Sequence, residues 1–237
     1  MTIPGEPDWM PAGAPVMIGP EGAQEIGIVV LPHAKVREAA KAIAQNAGVA
    51  PINPHITLIQ GVFSEEQIEA LKDYVSKAPI SLPAASLMMD AKLVLHPSQN
   101  VFWDVKMTDS TVAKAGGAWL TALNYLFSSY TRKDGPVPAA PLWQVWDEVE
   151  KTNATSAVDA EDMRLIETYG RDFSLPGRNR PHITVGYGPL SAAEREALLG
   201  AAISDTLQEP LSPEALAICQ IDARGNVVDV IQSYPLG

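Results

Sequence analysis

The chain has 237 residues and a formal charge of −11 at pH 7, with 17 lysines and arginines against 28 aspartates and glutamates. A protein that holds a long nucleic acid needs a basic stripe along its phosphate contacts, so this charge argues against a long RNA or DNA substrate. The hydrophobic content of 46% is enough for the core of one two-lobed domain or of two small domains.

The chain begins with an arm that we predict to be irregular, because residues 1–24 contain five prolines and four glycines. Residues 25–31 then predict a buried strand. Residues 35–47 have the apolar spacing of an amphipathic helix, and Gly48 is placed to end that helix.

An eight-residue phrase occurs twice, as PHITLIQG at residues 54–61 and as PHITVGYG at residues 181–188. In both copies a serine follows nine residues after the histidine, and Gln or Glu follows three residues after the serine. The chain has only four histidines, and two of them, His55 and His182, occupy matched positions of this repeat. A paired-histidine active site is therefore the leading hypothesis.

Each copy of the repeat predicts a strand, a short loop and a capped helix. The histidine and the threonine two residues later point to one face of the strand, while the apolar residues between and after them point to the other. The proline suits the first position of a strand, and the serine with Gln or Glu forms a capping box. Apolar residues at helical spacing follow in both copies: Ile68, Leu71 and Val75 in the first, Leu198, Leu199 and Ala202 in the second.

The stretches outside the repeat also predict regular elements. Residues 87–95 and 101–107 indicate two strands joined by a turn, and a helix is expected from about 111 to 127. Residues 215–231 indicate a hairpin whose turn lies at residues 223–226.

Residues 128–178 predict two extra helices inserted before the second copy. Trp143 and Trp146 lie on one helical stripe there, which fits either packing on the outside of a lobe or a lid over the site. Three arginines form a local basic cluster, which fits either phosphate binding or an ordinary solvated loop: Arg171, Arg178 and Arg180.

The doubled pattern His-hydrophobic-Thr-hydrophobic resembles the two-histidine (2H) phosphoesterase superfamily, which includes the bacterial 2′,5′ RNA ligase-like proteins and cyclic nucleotide phosphodiesterases. The resemblance covers residues 25–237. It implies an α+β fold of two lobes related by a pseudo-two-fold axis, with antiparallel sheets that line a central cleft and helices outside. Residues 25–237 would then form a single bilobal domain, with the helical insertion at about 128–178.

The same resemblance implies that His55 and His182 are the catalytic pair and that Thr57 and Thr184 bind phosphate oxygens. Imidazole titrates near neutral pH, so one ring can accept a proton from water while the other donates a proton to the leaving ribose oxygen. The symmetry leaves open which histidine is the acid and which is the base. We expect a phosphodiesterase that needs neither metal nor cofactor and hydrolyses a small nucleotide phosphodiester: a 2′,3′-cyclic phosphate, a 2′,5′-linked oligonucleotide or a cyclic oligonucleotide.

Several other residues receive an expectation from the sequence. Tyr187 follows the second motif and fits either a stack on a nucleobase or core packing, and we predict it, with Arg180, to contact substrate. Phe63 is expected in the core. His33 and His96 each adjoin a proline and are expected to be exposed turn residues.

Two alternatives to the enzyme hypothesis remain open at this point. One is a nucleotide-binding module that keeps the fold and the pocket without turnover. The other is a metal site built from His55, His182 and a carboxylate such as Asp90 or Asp104. A binding module has no need of two proton-transfer groups, and metal ligands seldom come with matched threonines, so we favour the phosphodiesterase.

The cysteine content and the hydropathy of the chain indicate the cellular compartment. Cys219 is the only cysteine, which excludes an intramolecular disulfide and a cysteine-based metal cluster. No apolar stretch approaches the length of a membrane span, and no lysine or arginine precedes Lys35, so a basic signal-peptide region is missing. We expect a cytoplasmic monomer without a membrane partner; an exported protein whose leader has been removed also fits.

Overall fold

The structure is a computed structural model, and it describes residues 23–78, 86–96, 100–128, 180–222 and 225–236. Outside these residues lie most of the predicted arm, the predicted insertion, and four side chains named above: Trp143, Trp146, Arg171 and Arg178. The lid and the basic cluster therefore stay predictions.

Seven strands and four α-helices form the described part of the chain. The strands are β1 Gln24–Leu31, β2 Ile56–Phe63, β3 Met89–Leu95, β4 Val101–Val105, β5 His182–Gly186, β6 Ala215–Ile221 and β7 Val227–Pro235. The helices are α1 Ala34–Asn46, α2 Glu65–Lys77, α3 Thr111–Ser128 and α4 Ala192–Leu199. The predicted α+β class is confirmed, and each helix or strand predicted in the described ranges is present. None of the described helices has the length and hydropathy that crossing a bilayer would require.

The described strands form one antiparallel sheet in the order β3-β4-β5-β2-β1-β6-β7. The two repeat strands, β2 and β5, are neighbours in the middle of this sheet. They meet at one ladder position, Ile56 opposite Ile183. The repeats are far apart along the chain, so their contact is produced by the order of the strands.

The helices and one face of the sheet enclose the main hydrophobic core. Ile56 and Ile183 are both fully buried in this core, which shows that their side chains point toward the helices. Helical side chains that complete it are Val36, Ala40, Ala44, Ile68, Leu71, Val75, Leu120, Leu123, Phe127 and Leu198. The alternation of a strand then sends the residues on either side of each isoleucine to the opposite face.

Strand β2 contains a bulge just after the first His-Thr pair. Ile59 lies opposite Ile28 and Thr57 lies opposite Val29, so Leu58 is the extra residue. Leu58 and Ile59 both join the main core. The fully buried Asn124 of α3 donates from Nδ2 to the Leu58 main-chain oxygen at 2.8 Å, so the carbonyl of the extra residue has a hydrogen-bond partner.

Both predicted capping boxes are confirmed. Gln67 N donates to Ser64 Oγ at 3.3 Å, and Ser64 N donates to Gln67 Oε1 at 2.8 Å. Ser191 and Glu194 repeat the arrangement at 3.2 and 2.7 Å. The two repeats therefore start their helices in the same way. The predicted short loop is present only in the second copy, between Gly186 and Ser191, because β2 continues to Phe63, directly before the Ser64 N-cap.

The apolar stripe predicted for the second helix is only partly right. Leu198 is fully buried, but Leu199 is 39% exposed. Helix α4 ends at Leu199 with Gly200 as its C-cap, so Ala202 lies beyond the helix and is exposed. Of the three residues predicted for the apolar stripe, only Leu198 therefore lies in the core.

Candidate active site

The four motif side chains lie on the face of the sheet opposite the helices. Since Ile56 and Ile183 point into the core, their neighbours in the chain point away from it. Thr57 also lies opposite Val29, which belongs to a second hydrophobic cluster on this other face. The structure thus places both His-Thr pairs side by side, on adjacent strands and on the same surface.

The antiparallel register relates the two pairs to each other. With Ile56 opposite Ile183, His55 falls opposite Thr184, and Thr57 falls opposite His182. Each histidine therefore neighbours the threonine of the other copy. The two histidines occupy diagonal positions, which an antiparallel pair separates by about 7–8 Å. A tetrahedral phosphate group between two imidazoles and two hydroxyls matches this spacing.

Both imidazoles are held by the same local contact. His55 Nδ1 lies 2.7 Å from the Asn53 main-chain oxygen, and His182 Nδ1 lies 2.8 Å from the Arg180 main-chain oxygen. A carbonyl accepts hydrogen bonds, so Nδ1 carries the hydrogen in the neutral ring and Nε2 keeps its lone pair. The repeat therefore gives both rings the same tautomer, in which Nε2 carries the lone pair.

His182 is half-buried beneath an aromatic ring. The Phe102 ring stacks on it with centroids 3.7 Å apart and an interplanar angle of 23°. This burial lowers the pKa of His182 to about 4, although the hydrogen bond to the Arg180 backbone and the negative charge of Asp104 act in the opposite direction. His182 is therefore neutral at pH 7.

His55 is 5% exposed and is anchored through Asn53 to the β6–β7 hairpin. Asn53 N donates to Asn226 Oδ1 at 3.2 Å, and Asn53 Nδ2 donates to the Val227 main-chain oxygen at 2.8 Å. Asn53 in turn presents its own carbonyl to His55. The orientation of the first histidine thus depends on a hairpin near the end of the chain.

Burial also sets the charge of His55. It lowers the pKa of this residue, and hydrogen bonds to the backbone of Asn53 and Gly225 and the charge of Asp222 offset part of that effect. The two histidines therefore share one electrostatic condition: each is desolvated and favours its neutral form, and each has a carboxylate nearby that favours the protonated form.

Tyr187 reaches from the second motif to the same hairpin. Its hydroxyl lies 3.5 Å from the position that a Cβ on Gly225 would occupy, and Gln60 Oε1 lies 3.8 Å from that position. Gly225 has φ of +84°, a conformation that glycine adopts without strain. Gln60, whose Nε2 donates to Glu25 Oε1, lies past the bulge on the face of Thr57. Tyr187 is half-buried, and its contact with substrate stays a prediction.

Arg180 has a structural partner that the sequence did not indicate. Its Nε donates to Asp104 Oδ2 at 3.2 Å, and its Nη2 donates to the same oxygen. Asp104 lies opposite His182 in the register of β4 and β5. The Arg180 side chain is 53% exposed, and its role in substrate binding stays a prediction.

The described residues do not assemble the alternative metal site. Within the described ranges, no group of three or more His, Cys, Asp and Glu side chains is placed to hold a metal ion. His55 and His182 are therefore not joined by Asp90 or Asp104 in a ligand set. Asp90 accepts instead from the backbone N–H of the next residue, at 2.6 Å.

The remaining histidines and Phe63 have clear structural positions. Phe63 is 1% exposed and belongs to the core, as predicted. The expectation of exposed turn residues is wrong for His33 and His96, both of which are half-buried. His33 caps α1 by accepting from Lys35 N at 3.2 Å, and the His96 ring packs on Phe102 at 4.8 Å.

Sequence reasoning missed the residues that support the two imidazoles. These residues are Asn53, Phe102 and Asp104, the last of which forms an ion pair with Arg180. One signal was present for Phe102: on a strand whose side chains alternate between the core and the opposite face of the sheet, it shares a face with Asp104. The contact of Asn53 with a hairpin 173 residues later has no local signal.

The assembled arrangement has two imidazoles in the same tautomer and two hydroxyls on one face of the sheet. Such a set can hold a small oxyanion and move one proton on each side of it. No protein-family model matches the chain, and neither does any curated protein.

Proposed function

We propose that this protein is a metal-independent phosphodiesterase that hydrolyses a small nucleotide phosphodiester. The observation on which the proposal rests is the pairing of the two repeat strands at Ile56 and Ile183, which brings two His-Thr pairs to one surface. The matched Nδ1 contacts add to it, because both rings present the same nitrogen for chemistry. A two-lobed arrangement of the 2H type, with one motif strand from each lobe, belongs to this proposal.

The proposed reaction needs only these four side chains and water. One imidazole accepts a proton at Nε2 from the attacking water, whose oxygen forms a new bond to phosphorus. The other imidazole, protonated at Nε2, donates its proton as the bond from phosphorus to the ribose oxygen breaks. The hydroxyls of Thr57 and Thr184 donate to the non-bridging oxygens and keep the phosphorus in line between the two rings.

The protonation of the two histidines has a consequence for this reaction. The pKa of His182 is lowered to about 4 and that of His55 is also lowered, so both imidazoles favour the neutral form at pH 7. A phosphate anion placed between the rings favours their protonated forms. Substrate binding should therefore bring a proton into the site, and this proton is the one that the general acid donates.

The pH dependence follows from these shifts. In the free protein, protonation of one ring becomes rare as pH rises above its lowered pKa, so kcat/KM should peak below pH 6.5 and fall toward pH 8. The bound phosphate raises the macroscopic pKa values of the pair, so the maximum of kcat should lie at higher pH than that of kcat/KM. Initial rates from pH 4 to pH 9 at low and saturating substrate measure both profiles.

The proposed activity is tested with purified, EDTA-treated protein on a panel of cyclic and 2′,5′-linked nucleotides. We expect turnover that survives the chelator. Activity that is lost in EDTA and restored by zinc or manganese would transfer the reaction to a metal site. Tight binding of AMP without turnover anywhere on the panel would identify a nucleotide-binding module instead.

Substrate length gives an independent prediction. At a formal charge of −11, the protein repels a polyanion at long range, although a local site can still hold one or two phosphates. Dinucleotides or short oligonucleotides should therefore be cleaved at least as efficiently as long RNA with the same linkage. The measurement compares kcat/KM for both substrates at low and physiological salt. A strong preference for long RNA that weakens steeply with salt would contradict this substrate class.

A further inference from the structure

His182 belongs to a stack of three aromatic rings. The other two rings, Phe102 and His96, lie outside both copies of the repeat. Phe102 of β4 stacks on His182 with centroids 3.7 Å apart and an angle of 23°. His96, at the end of β3, packs on Phe102 with centroids 4.8 Å apart and an angle of 32°. Two rings so nearly parallel to a third at these distances occupy its two faces, so Phe102 lies between the two imidazoles.

We propose that Phe102 is a positioning residue for His182, and that His96 is a second ionisable residue of the site, which acts on the charge of His182 across the intervening ring. The catalytic meaning of this inference rests on the proposed phosphodiesterase function. The ring stack itself does not depend on that function and can be tested without substrate.

The positioning role follows because two contacts are enough to fix the orientation of a rigid, planar imidazole ring. The hydrogen bond from Nδ1 to the Arg180 main-chain oxygen, at 2.8 Å, fixes one direction within the ring plane. The face of Phe102 fixes the plane. A ring with its plane and one in-plane direction fixed has a single location for Nε2, which is the atom that must meet the substrate. Phe102 is itself 7% exposed, so its own position is constrained.

The charge role of His96 follows from the groups around His182. Asp104 faces it from β4, Arg180 precedes it in the chain, and His55 lies across the ladder on the first motif. Asp104 and Arg180 form an ion pair, and their charges act on the pKa of His182 in opposite directions. His96 differs from this pair in its chemistry, because imidazole is the side chain whose ordinary pKa places its change of charge between pH 5 and 8. Its positive charge lowers the pKa of His182.

The two roles predict different results for two substitutions. Phe102→Leu keeps an apolar side chain but opens one face of His182 to water, which should raise the His182 pKa by about one unit or more. His96→Phe keeps a ring against Phe102 and removes the charge. It should raise the His182 pKa by a smaller amount, about 0.3–1 unit, and this shift should shrink in 1 M salt because salt screens the charge.

The direct measurement is an NMR titration of the His182 imidazole signals in the 237-residue protein without substrate. Phe102→Tyr serves as the conservative variant and should leave the titration close to that of the wild type. His33→Asn is the matched control, because it removes another imidazole while keeping a side chain that caps α1; it should not shift His182. Unchanged His182 titration in both Phe102→Leu and His96→Phe would overturn the proposal, whatever the activity of the protein.

Activity assays supply the second test. Phe102→Leu should lower kcat about 10-fold through misplacement of Nε2, with a much smaller change in KM, and Phe102→Tyr should restore it. His96→Phe should move the pH profile of kcat/KM toward higher pH by the shift seen in the titration. A full kcat in Phe102→Leu would contradict the positioning role. If no substrate is turned over by the wild type, the proposed function fails while the NMR result still decides this inference.

Discussion

Replacement of either His55 or His182 by alanine should lower turnover of a nucleotide phosphodiester by about 10²-fold or more, which is the scale of general acid–base catalysis. Each variant removes one of the two imidazoles of the proposed site. The remaining histidine then has no partner to complete the second proton transfer. The double variant should be little slower than either single variant, because residues that act as one unit do not contribute additively. Single-turnover rates on the best substrate of the panel measure both effects.

Stability must be separated from catalysis in this experiment, since His55 is 5% exposed. His55→Asn retains a polar side chain in the same pocket and should unfold at a temperature closer to that of the wild type, yet it should be as inactive as His55→Ala. His33→Ala is the control for the loss of an imidazole elsewhere in the fold and should keep full activity. A His55→Ala protein that cleaves any wild-type substrate at the normal rate would rule out the paired-histidine site.

Replacement of a motif threonine by valine should lower kcat by about 10²-fold, the effect of removing one donor that stabilises transition-state charge. Valine preserves the branched shape and the strand preference of threonine, and it loses only the hydroxyl. Thr57 lies opposite Val29 on β1, and Thr184 lies opposite Phe102 on β4, so each position has an apolar neighbour on the side away from the other copy's histidine. The expected loss is therefore one of function with little change in the free energy of unfolding.

Serine at the same positions supplies the matched control. Thr57→Ser and Thr184→Ser keep the hydroxyl and should retain most of kcat. Steady-state kinetics and thermal unfolding of all four single variants distinguish the two contributions. Wild-type kcat in both valine variants would mean that the hydroxyls do not contact the reacting phosphate. A common loss in the valine and serine variants would instead point to packing.

Local sequence pattern was sufficient for most of the described elements. The capping boxes at Ser64 and Ser191 depend on side chains only three residues apart, and such contacts form wherever the chain is helical. The exposed Leu199 shows the limit of the same reasoning. Apolar spacing gives the direction of a side chain along a helix, but the length of the helix and the position of the sheet decide which residues reach the core.

The sequence likewise predicted some features of the candidate site and left others to the tertiary structure. The sequence by itself determined the four motif residues, and it determined that each His-Thr pair shares one face of a strand, because strand alternation is a local property. It also determined the charge that argues against a long nucleic acid. The sequence did not predict the order of the strands in the sheet, since antiparallel pairing between distant segments depends on how the whole core packs.

Tertiary structure alone decided what surrounds those four residues. It placed β2 beside β5, so that each histidine neighbours the other copy's threonine. It also stacked Phe102 on His182 and anchored Asn53 to the β6–β7 hairpin. These contacts join segments that are distant in the chain, and they set the burial of each imidazole. Burial governs the cost of charging the ring, so the residue types came from the sequence, while their protonation and orientation depend on the fold.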